Sequence, residues 1–116
     1  MVRFLNKRSN LYEYIFRLAF VTGAQCNELV SVCAAMPDGT GTATFAKTFP
    51  SRAFDVGIAE EHAVTLRQDF AAGGMRPVVS LYSTFCDSAY DQMIHDVSYW
   101  QSAGYFYSRP KRHCRK

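Results

Sequence analysis

What the 116 residues lack narrows the field before any motif is read. No apolar run approaches the ~20 residues that a helix needs to cross a bilayer, which excludes a membrane-spanning protein. None of the four cysteines stands in a Cys-x-x-Cys pair, and the three histidines are not spaced as a zinc site requires. Cys26, Cys33, Cys86 and Cys114 therefore read as free thiols of a reducing compartment. The opening MVRFLNKRSN is basic but lacks a following apolar region with a small-residue cleavage site, so no secretory signal is marked and the cytoplasm is the expected location. A phosphate cradle of Walker or dinucleotide type is missing too, because PDGTGT has the glycines without the lysine or the strict spacing. Internal repeats and low-complexity stretches are absent, and the length admits one small domain rather than two, since single cores run to ~100–200 residues.

Acid is missing from the end of the chain. All ten Asp and Glu lie before residue 109, whereas five of the thirteen Lys and Arg (Arg109, Lys111, Arg112, Arg115, Lys116) follow. Three more basic residues, Arg3, Lys7 and Arg8, fall near the start. The overall net charge of +3 is thus a property of the ends, and residues 11–108 carry five cations against ten acids. A body this acidic has no basic face for phosphate, which argues against nucleic acid as a partner of the fold and leaves it only to the tail.

Apolar content of 48% with 20% charged residues is that of a globular core. Leu11 to Asn27 places Leu11, Tyr14, Ile15 and Leu18 at helical spacing. LVSVC (Leu29–Cys33) reads as a strand, AAMPDGTGT as a loop, Thr44–Phe49 as a short helix and AFDV (Ala53–Val56) as a second strand. From Ile58 to Ala72 a helix is expected with Ala59, His62, Ala63, Leu66 and Phe70 on one face, stopped by Gly73-Gly74. PVVSLY (Pro77–Tyr82) is a β-branched strand, and Ala89, Tyr90, Met93, Ile94 and Val97 mark a further helical face. Strands alternating with helices predict an α/β fold with a parallel sheet flanked by helices. The segment from about Tyr99 to Lys116 has neither period and nothing that would pack a sheet, so composition makes it a disordered tail or a misfit.

Ligands of open parallel sheets gather at the carboxyl ends of strands, which directs attention to the loops after Cys33, Val56 and Tyr82. Glu60 and Glu61 stand in the first turn of the helix after Gly57, where acids commonly just complement the macrodipole. His62 reads as a core histidine. Phe85 and Tyr82, beyond and at a strand end, could each be core or a stacking platform. His95-Asp96 invites a dyad, but neighbours on an α-helix point ~100° apart and do not face each other.

The runs AAMPDGTG, FAKTFPSRAFDVGIAEEHAVT, GGMRPVVSLYSTF and AYDQMIHDVS resemble, in order, the central part of the 1-deoxy-D-xylulose-5-phosphate synthase family, thiamine-diphosphate enzymes related to transketolase. The resemblance covers about residues 10–98. It implies a transketolase-like pyrimidine-binding domain and a reaction joining pyruvate to glyceraldehyde 3-phosphate with loss of carbon dioxide, which supplies isoprenoid, thiamine and pyridoxal precursors. Glu60, the acid of the IAE motif, would hydrogen-bond N1′ of the aminopyrimidine and favour its imino tautomer, which removes the thiazolium proton. Phe85 of YSTF would stack on the pyrimidine, Tyr82 would face cofactor and substrate, and the loop Met36–Gly41 would lie near the mouth of the site. Glu61, where the family has Gln, is left as surface, and His62 and His95 keep a core or supporting reading. The cofactor is thiamine diphosphate with Mg2+, but no metal ligand can be named in this chain, because the family holds the diphosphate and metal in another domain.

The departures from the family pattern are local. Cys86, Asp87 and Ser88 replace its L-Q-R, so an arginine expected near the active site is a serine. Leu66-Arg67-Gln68-Asp69 replace a small F-A-A-G run, and two charges on a packed face destabilise unless they reach water. Read one nucleotide later, the codons for Trp100 onward permit G-K-V-P-V-I-F-T-R-D-R-S-G-I-V-G, close to the family's continuation with its D-R-x-G arginine. The same device converts T-L-R-Q-D-F to T-F-A-A-G-F. Frame slips are therefore expected in the coding sequence, and codons incompatible with the shifted reading would exclude them.

The expected organisation is an N-terminal extension (1–9), a partial pyrimidine-binding domain lacking its C-terminal side (10–98) and an out-of-frame basic tail (99–116). Such a chain is expected to be a fragment inactive alone, prone to self-association or needing the missing domains of the same enzyme. A complementing subunit that gives Glu60 and Phe85 to a separately encoded chain is the alternative, and an unrelated basic-tailed interaction module a third.

Overall fold

A computed structural model of the chain describes residues 3–4, 23–99 and 105–109. Among these residues five strands, β1 (Arg3–Phe4), β2 (Leu29–Cys33), β3 (Ala53–Asp55), β4 (Arg76–Tyr82) and β5 (Tyr105–Arg109), form one sheet in the order β1-β5-β4-β2-β3. Every pairing is parallel, with Val32 level with Val79 and Phe54, and Val79 level with Phe106. The helices are α1 (Pro37–Thr40), α2 (Thr42–Thr48), α3 (Glu60–Ala72) and α4 (Tyr90–Gln92), the last widening into a π-helical stretch over Met93–Tyr99. The parallel α/β architecture is the one the strand and helix alternation predicts.

All five residues of β2 are buried, as expected of a strand covered on both faces, which is why LVSVC reads as a continuous apolar run rather than an alternation. Val32, Val79 and Leu81 point to one face and pack with Ala63 and Val64 of α3, Ala89 and Val97. Ser31 and Cys33 point to the other face, toward α1 and α2. α3 ends where Gly74 takes φ +83, a left-handed conformation that glycine adopts without steric cost.

Several expectations are corrected. AAMPDGTGT is not a loop but the punctuation of α1 and α2: Pro37 fills the first helical position, where its missing N–H is not needed, and Gly41 at φ +77 closes one helix and opens the next. Residues 105–109 do pack the sheet, as β5 between β1 and β4, because a parallel ladder uses backbone groups and Tyr105 and Phe106 belong to the residue types that favour strands. Arg3–Phe4, inside the expected extension, pairs with β5. The strand after Pro50 ends at Asp55, one residue early, and α3 begins at Glu60. His62 is exposed, since Ala63, Val64 and Arg67 define the buried face of α3. Tyr90 and Ile94 are likewise 63% and 49% exposed, leaving Ala89 and Val97 to anchor that segment. Of the two charges expected on the packed face, Asp69 reaches water whereas Arg67 is fully buried, and burial pushes its guanidinium below its ordinary value. The helix expected over Leu11–Asn27 lies largely outside the described residues, with 23–25 helical.

Candidate functional site

Because all strands run in parallel, their carboxyl ends share one edge of the sheet, and the loops after β2, β3 and β4 meet there. The three residues singled out from the sequence stand on these connections. Tyr82 closes β4 and Phe85 follows in the next turn, whose backbone is tied by a hydrogen bond from the Phe85 N–H to the Tyr82 carbonyl (2.9 Å). Their rings are 6.0 Å apart between centroids and inclined by 35°. Phe85 is 41% exposed, so it is not a core aromatic but one with a face presented to solvent. Glu60 opens α3, which packs on β4 and on the turn Cys86–Ala89 that follows Phe85. It is only 9% exposed, and among the described residues no hydrogen bond or ion pair ends on its carboxylate. Glu61, next to it, is exposed as expected.

The loop Met36–Gly41 forms α1, and it closes over Tyr82. A Cβ on Gly39 would stand 1.7 Å from the Tyr82 hydroxyl oxygen, so with the ring in this position α1 has room only for glycine there. Beneath it a buried polar relay fixes the turn: the Thr40 hydroxyl donates to the Met36 carbonyl (2.6 Å) and lies 3.2 Å from the Thr42 hydroxyl and 3.6 Å from the Cys33 thiol. Ser88, where the family pattern has arginine, turns its hydroxyl back to the Phe85 carbonyl (2.7 Å).

Sequence reasoning missed Asp55. Its Oδ1 accepts the Ala35 N–H (2.8 Å) and the Gly57 N–H (3.0 Å), joining the loop after β2 to the loop after β3. Both amides belong to residues with positive φ, Ala35 at 52° and Gly57 at 73°. The signal available in the sequence was only an aspartate two residues before a glycine, a common turn pattern.

His95 and Asp96 do face each other, contrary to expectation: the Nδ1 of His95 donates to Asp96 Oδ1 at 2.6 Å. The pair lies in the π-helical stretch, whose wider turns relax the ~100° separation of neighbours in an α-helix. The second oxygen of Asp96 accepts the Thr65 hydroxyl (2.8 Å), which ties this segment to α3. Burial pushes the Asp96 carboxyl up, but the hydrogen bonds from His95 and Thr65 and the nearby His95 charge outweigh it and hold the group below its ordinary value. The His95 ring is 70% exposed, so it too is a surface rather than a core histidine.

A cavity of about 190 Å³ lies on the other face of the sheet, lined by Ser31, Cys33, Pro37, Thr42, Phe54 and Asp55 among others. None of Glu60, Tyr82 and Phe85 lines it. Among the described residues no cluster of three His, Cys, Asp or Glu side chains is placed to hold a metal ion, Cys26, Cys33 and Cys86 form no disulfide, and no helix is long and apolar enough to cross a membrane.

Comparison with known proteins adds a family to this geometry. The family described as transketolase, pyrimidine binding domain, matches residues 14–108, which takes in all of β5 but its last residue. The chain is 52% identical over 92 residues to the 1-deoxy-D-xylulose-5-phosphate synthase of Dictyoglomus thermophilum, covering 78% of this chain and 15% of that protein. It is 61% identical over 71 residues to the synthase of Lachnoclostridium phytofermentans (61% of this chain, 11% of that protein) and 53% identical over 93 residues to that of Halothermothrix orenii (78% and 15%). The chain thus spans about 15% or less of the length of these curated relatives.

Proposed function

The chain belongs to the transketolase pyrimidine-binding domain family, and we propose that it supplies the pyrimidine half-site of a thiamine-diphosphate-dependent 1-deoxy-D-xylulose-5-phosphate synthase, with Glu60, Tyr82 and Phe85 as that half-site. The observation that carries this reading is Glu60: a largely buried carboxylate at a strand-end loop, with no hydrogen-bond partner among the described residues. Its oxygens reach solvent, and with no bond from the chain they need a donor from water or from a ligand. An aminopyrimidine fits the need, because a ring nitrogen can share a proton with the acid while the ring lies against an exposed aromatic face such as that of Phe85.

When bound, thiamine diphosphate supplies the nucleophilic carbon and the electron sink for decarboxylating pyruvate and joining the fragment to glyceraldehyde 3-phosphate. In this reading Glu60 holds a proton at N1′ of the ring, Phe85 stacks on the ring, and Tyr82, pinned by α1, walls the site toward the substrate. Mg2+ and the diphosphate are assigned to another domain of the enzyme. The location is assigned to the cytoplasm, and the chain acts with the remaining domains of the synthase or a further copy of itself. The pyrimidine-binding unit is assigned to about residues 10–98, followed by a tail translated out of frame.

Calorimetric titration of thiamine diphosphate with magnesium into the purified chain tests the half-site. No binding tighter than millimolar is expected, since one half of the site contributes only part of the contacts and none to the diphosphate. Micromolar affinity would show a complete site and overturn this reading. In parallel, Glu60→Gln is expected to abolish the weak response of the chain to the aminopyrimidine half of thiamine, observed by NMR at residues 60 and 85; an unchanged response removes Glu60 from the site.

A further inference from the structure

We propose that Asp55 is a positioning residue that sets where Glu60 stands, by clamping the β2 and β3 loops together through one carboxylate oxygen. The proposal rests on the pyrimidine reading of Glu60 and assigns the residue that holds it in place.

The backbone leading into α3 has little else to fix it. Ala59, the N-cap of α3, has no side chain able to accept a helix N–H, so the start of the helix is not set by a cap. It is set by a chain of bonds that begins at the strand ends. The Val56 N–H donates to the Cys33 carbonyl (3.0 Å), extending the β2–β3 pairing by one residue. Asp55 Oδ1 then takes the Gly57 N–H at 3.0 Å, the Ala59 N–H donates to the Gly57 carbonyl (2.9 Å), and the Ala63 N–H donates to the Ala59 carbonyl (3.0 Å), which begins the helix. Glu60 lies inside that chain, and each link upstream of it passes through the turn that Asp55 closes.

The second bond from the same oxygen reaches across to β2. Ala35 holds φ 52°, a conformation that a residue with a Cβ avoids unless its surroundings impose it. Asp55 accepts its N–H at 2.8 Å, and a hydrogen bond to a carboxylate is stronger than one to a neutral acceptor. Met36, the N-cap of α1, follows directly, so the same clamp sets the entry of the helix that walls Tyr82. One oxygen thereby fixes both the acid and the opposite wall relative to the sheet. Asp55 itself is exposed, so its removal opens no hole in the core, and what it fixes is the position of the loops.

The test uses the full chain, isotopically labelled, with the hydroxymethyl aminopyrimidine half of thiamine as the probe. In the wild-type chain the probe is expected to shift the signals of residues 60 and 85, giving a dissociation constant by titration. Asp55→Ala is expected to weaken that binding by roughly tenfold or more, the scale on which small misplacements act at a site, with the fold retained in its melting curve. Asp55→Asn keeps an acceptor oxygen at the same place and is expected to stay within about threefold of wild type, a rescue that a merely electrostatic role would not give. Wild-type affinity in Asp55→Ala overturns the positioning role while leaving the pyrimidine reading intact. Loss of binding in Asp55→Asn overturns it as well, and so does an Asp55→Ala chain that does not fold, because the carboxylate would then hold the fold rather than the site. A wild-type chain that gives no response at residues 60 and 85 overturns the pyrimidine reading itself, and the role of Asp55 with it.

Discussion

Glu60 and Glu61 are neighbours with the same chemistry, and the ~100° between successive helical residues gives them opposite fates. Glu61 projects into water, where an acid near a helix N-terminus adds a few tenths to ~1 kcal/mol and does nothing more. Glu60 is largely buried and takes no bond from the chain, and its solvent-reaching oxygens leave a demand for a donor that water or a ligand can meet. Asp96 shows what a covered carboxylate looks like when the demand is met within the chain: one oxygen takes Thr65, the other His95, and the group is held below the ordinary aspartate value of 3.8. The sign of the consequence follows from linkage. A carboxyl that ionises more readily when folded stabilises the fold at pH above 3.8, and that contribution fades as pH falls through the lowered folded value. Asp96→Asn is therefore expected to lower the melting temperature near neutral pH, with the gap beginning to close below pH 3.8 and vanishing only once pH has fallen through the lowered folded value. Melting curves across that range check it. A gap that stays constant down to the lowest pH would mean that Asp96 acts by shape rather than by charge. Part of the gap is expected to shrink in salt, since the His95 ring is 70% exposed.

At the scale of elements, the site depends on how closely α1 approaches β4. Gly39 leaves no room for a Cβ against the Tyr82 hydroxyl, at 1.7 Å, but that oxygen is the far end of a side chain that can turn. Gly39→Ala is thus expected to swing the Tyr82 ring away from α1 and change its 6.0 Å relation to Phe85, with a loss of stability of no more than about 1 kcal/mol. The aromatic signals of Tyr82 and Phe85 in NMR, set beside a thermal melt, separate the two effects; an unmoved Tyr82 ring would show that α1 yields instead. How far these elements could be read in advance depended on where their information is stored. LVSVC and PVVSLY were legible because central parallel strands are apolar on both faces, and α3 because Ala63, Leu66 and a terminal Gly-Gly carry a helical period and its stop. α1 and α2 were not, since Pro at a first helical position and Gly at a helix end look the same in sequence as a loop. Asp55 was not legible either, because its role exists only once the fold brings Ala35, twenty positions away, within hydrogen-bond distance. Glu60, Tyr82 and Phe85 were singled out by a pattern of consecutive motifs, not by any local physical property. Arg67 is the reverse case: the sequence flagged it as a misfit, and the structure buries it fully.

At the scale of the whole molecule, the segment with the least sequence signal occupies a position of structural consequence. β5 lies between β1 and β4, and its ladder with β4 runs from Val78–Tyr105 to Tyr82–Arg109. Removing it strips the partner from one edge of the strand that carries Val79 and Leu81, which are 0% and 1% exposed, and leaves β1 with nothing to pair. An exposed parallel edge of five residues, Val78 to Tyr82, is a template for pairing with another chain. A chain truncated after Ser98 is therefore expected to be less stable than the full chain and to associate at concentrations where the full chain does not. Analytical ultracentrifugation and thermal melts of the two chains decide the matter. If the truncated chain remains as stable and as dispersed as the full one, β5 contributes no sheet energy. If it associates, β5 completes the sheet by backbone pairing, and the edge that carries the site depends on a segment that composition alone marks as a misfit.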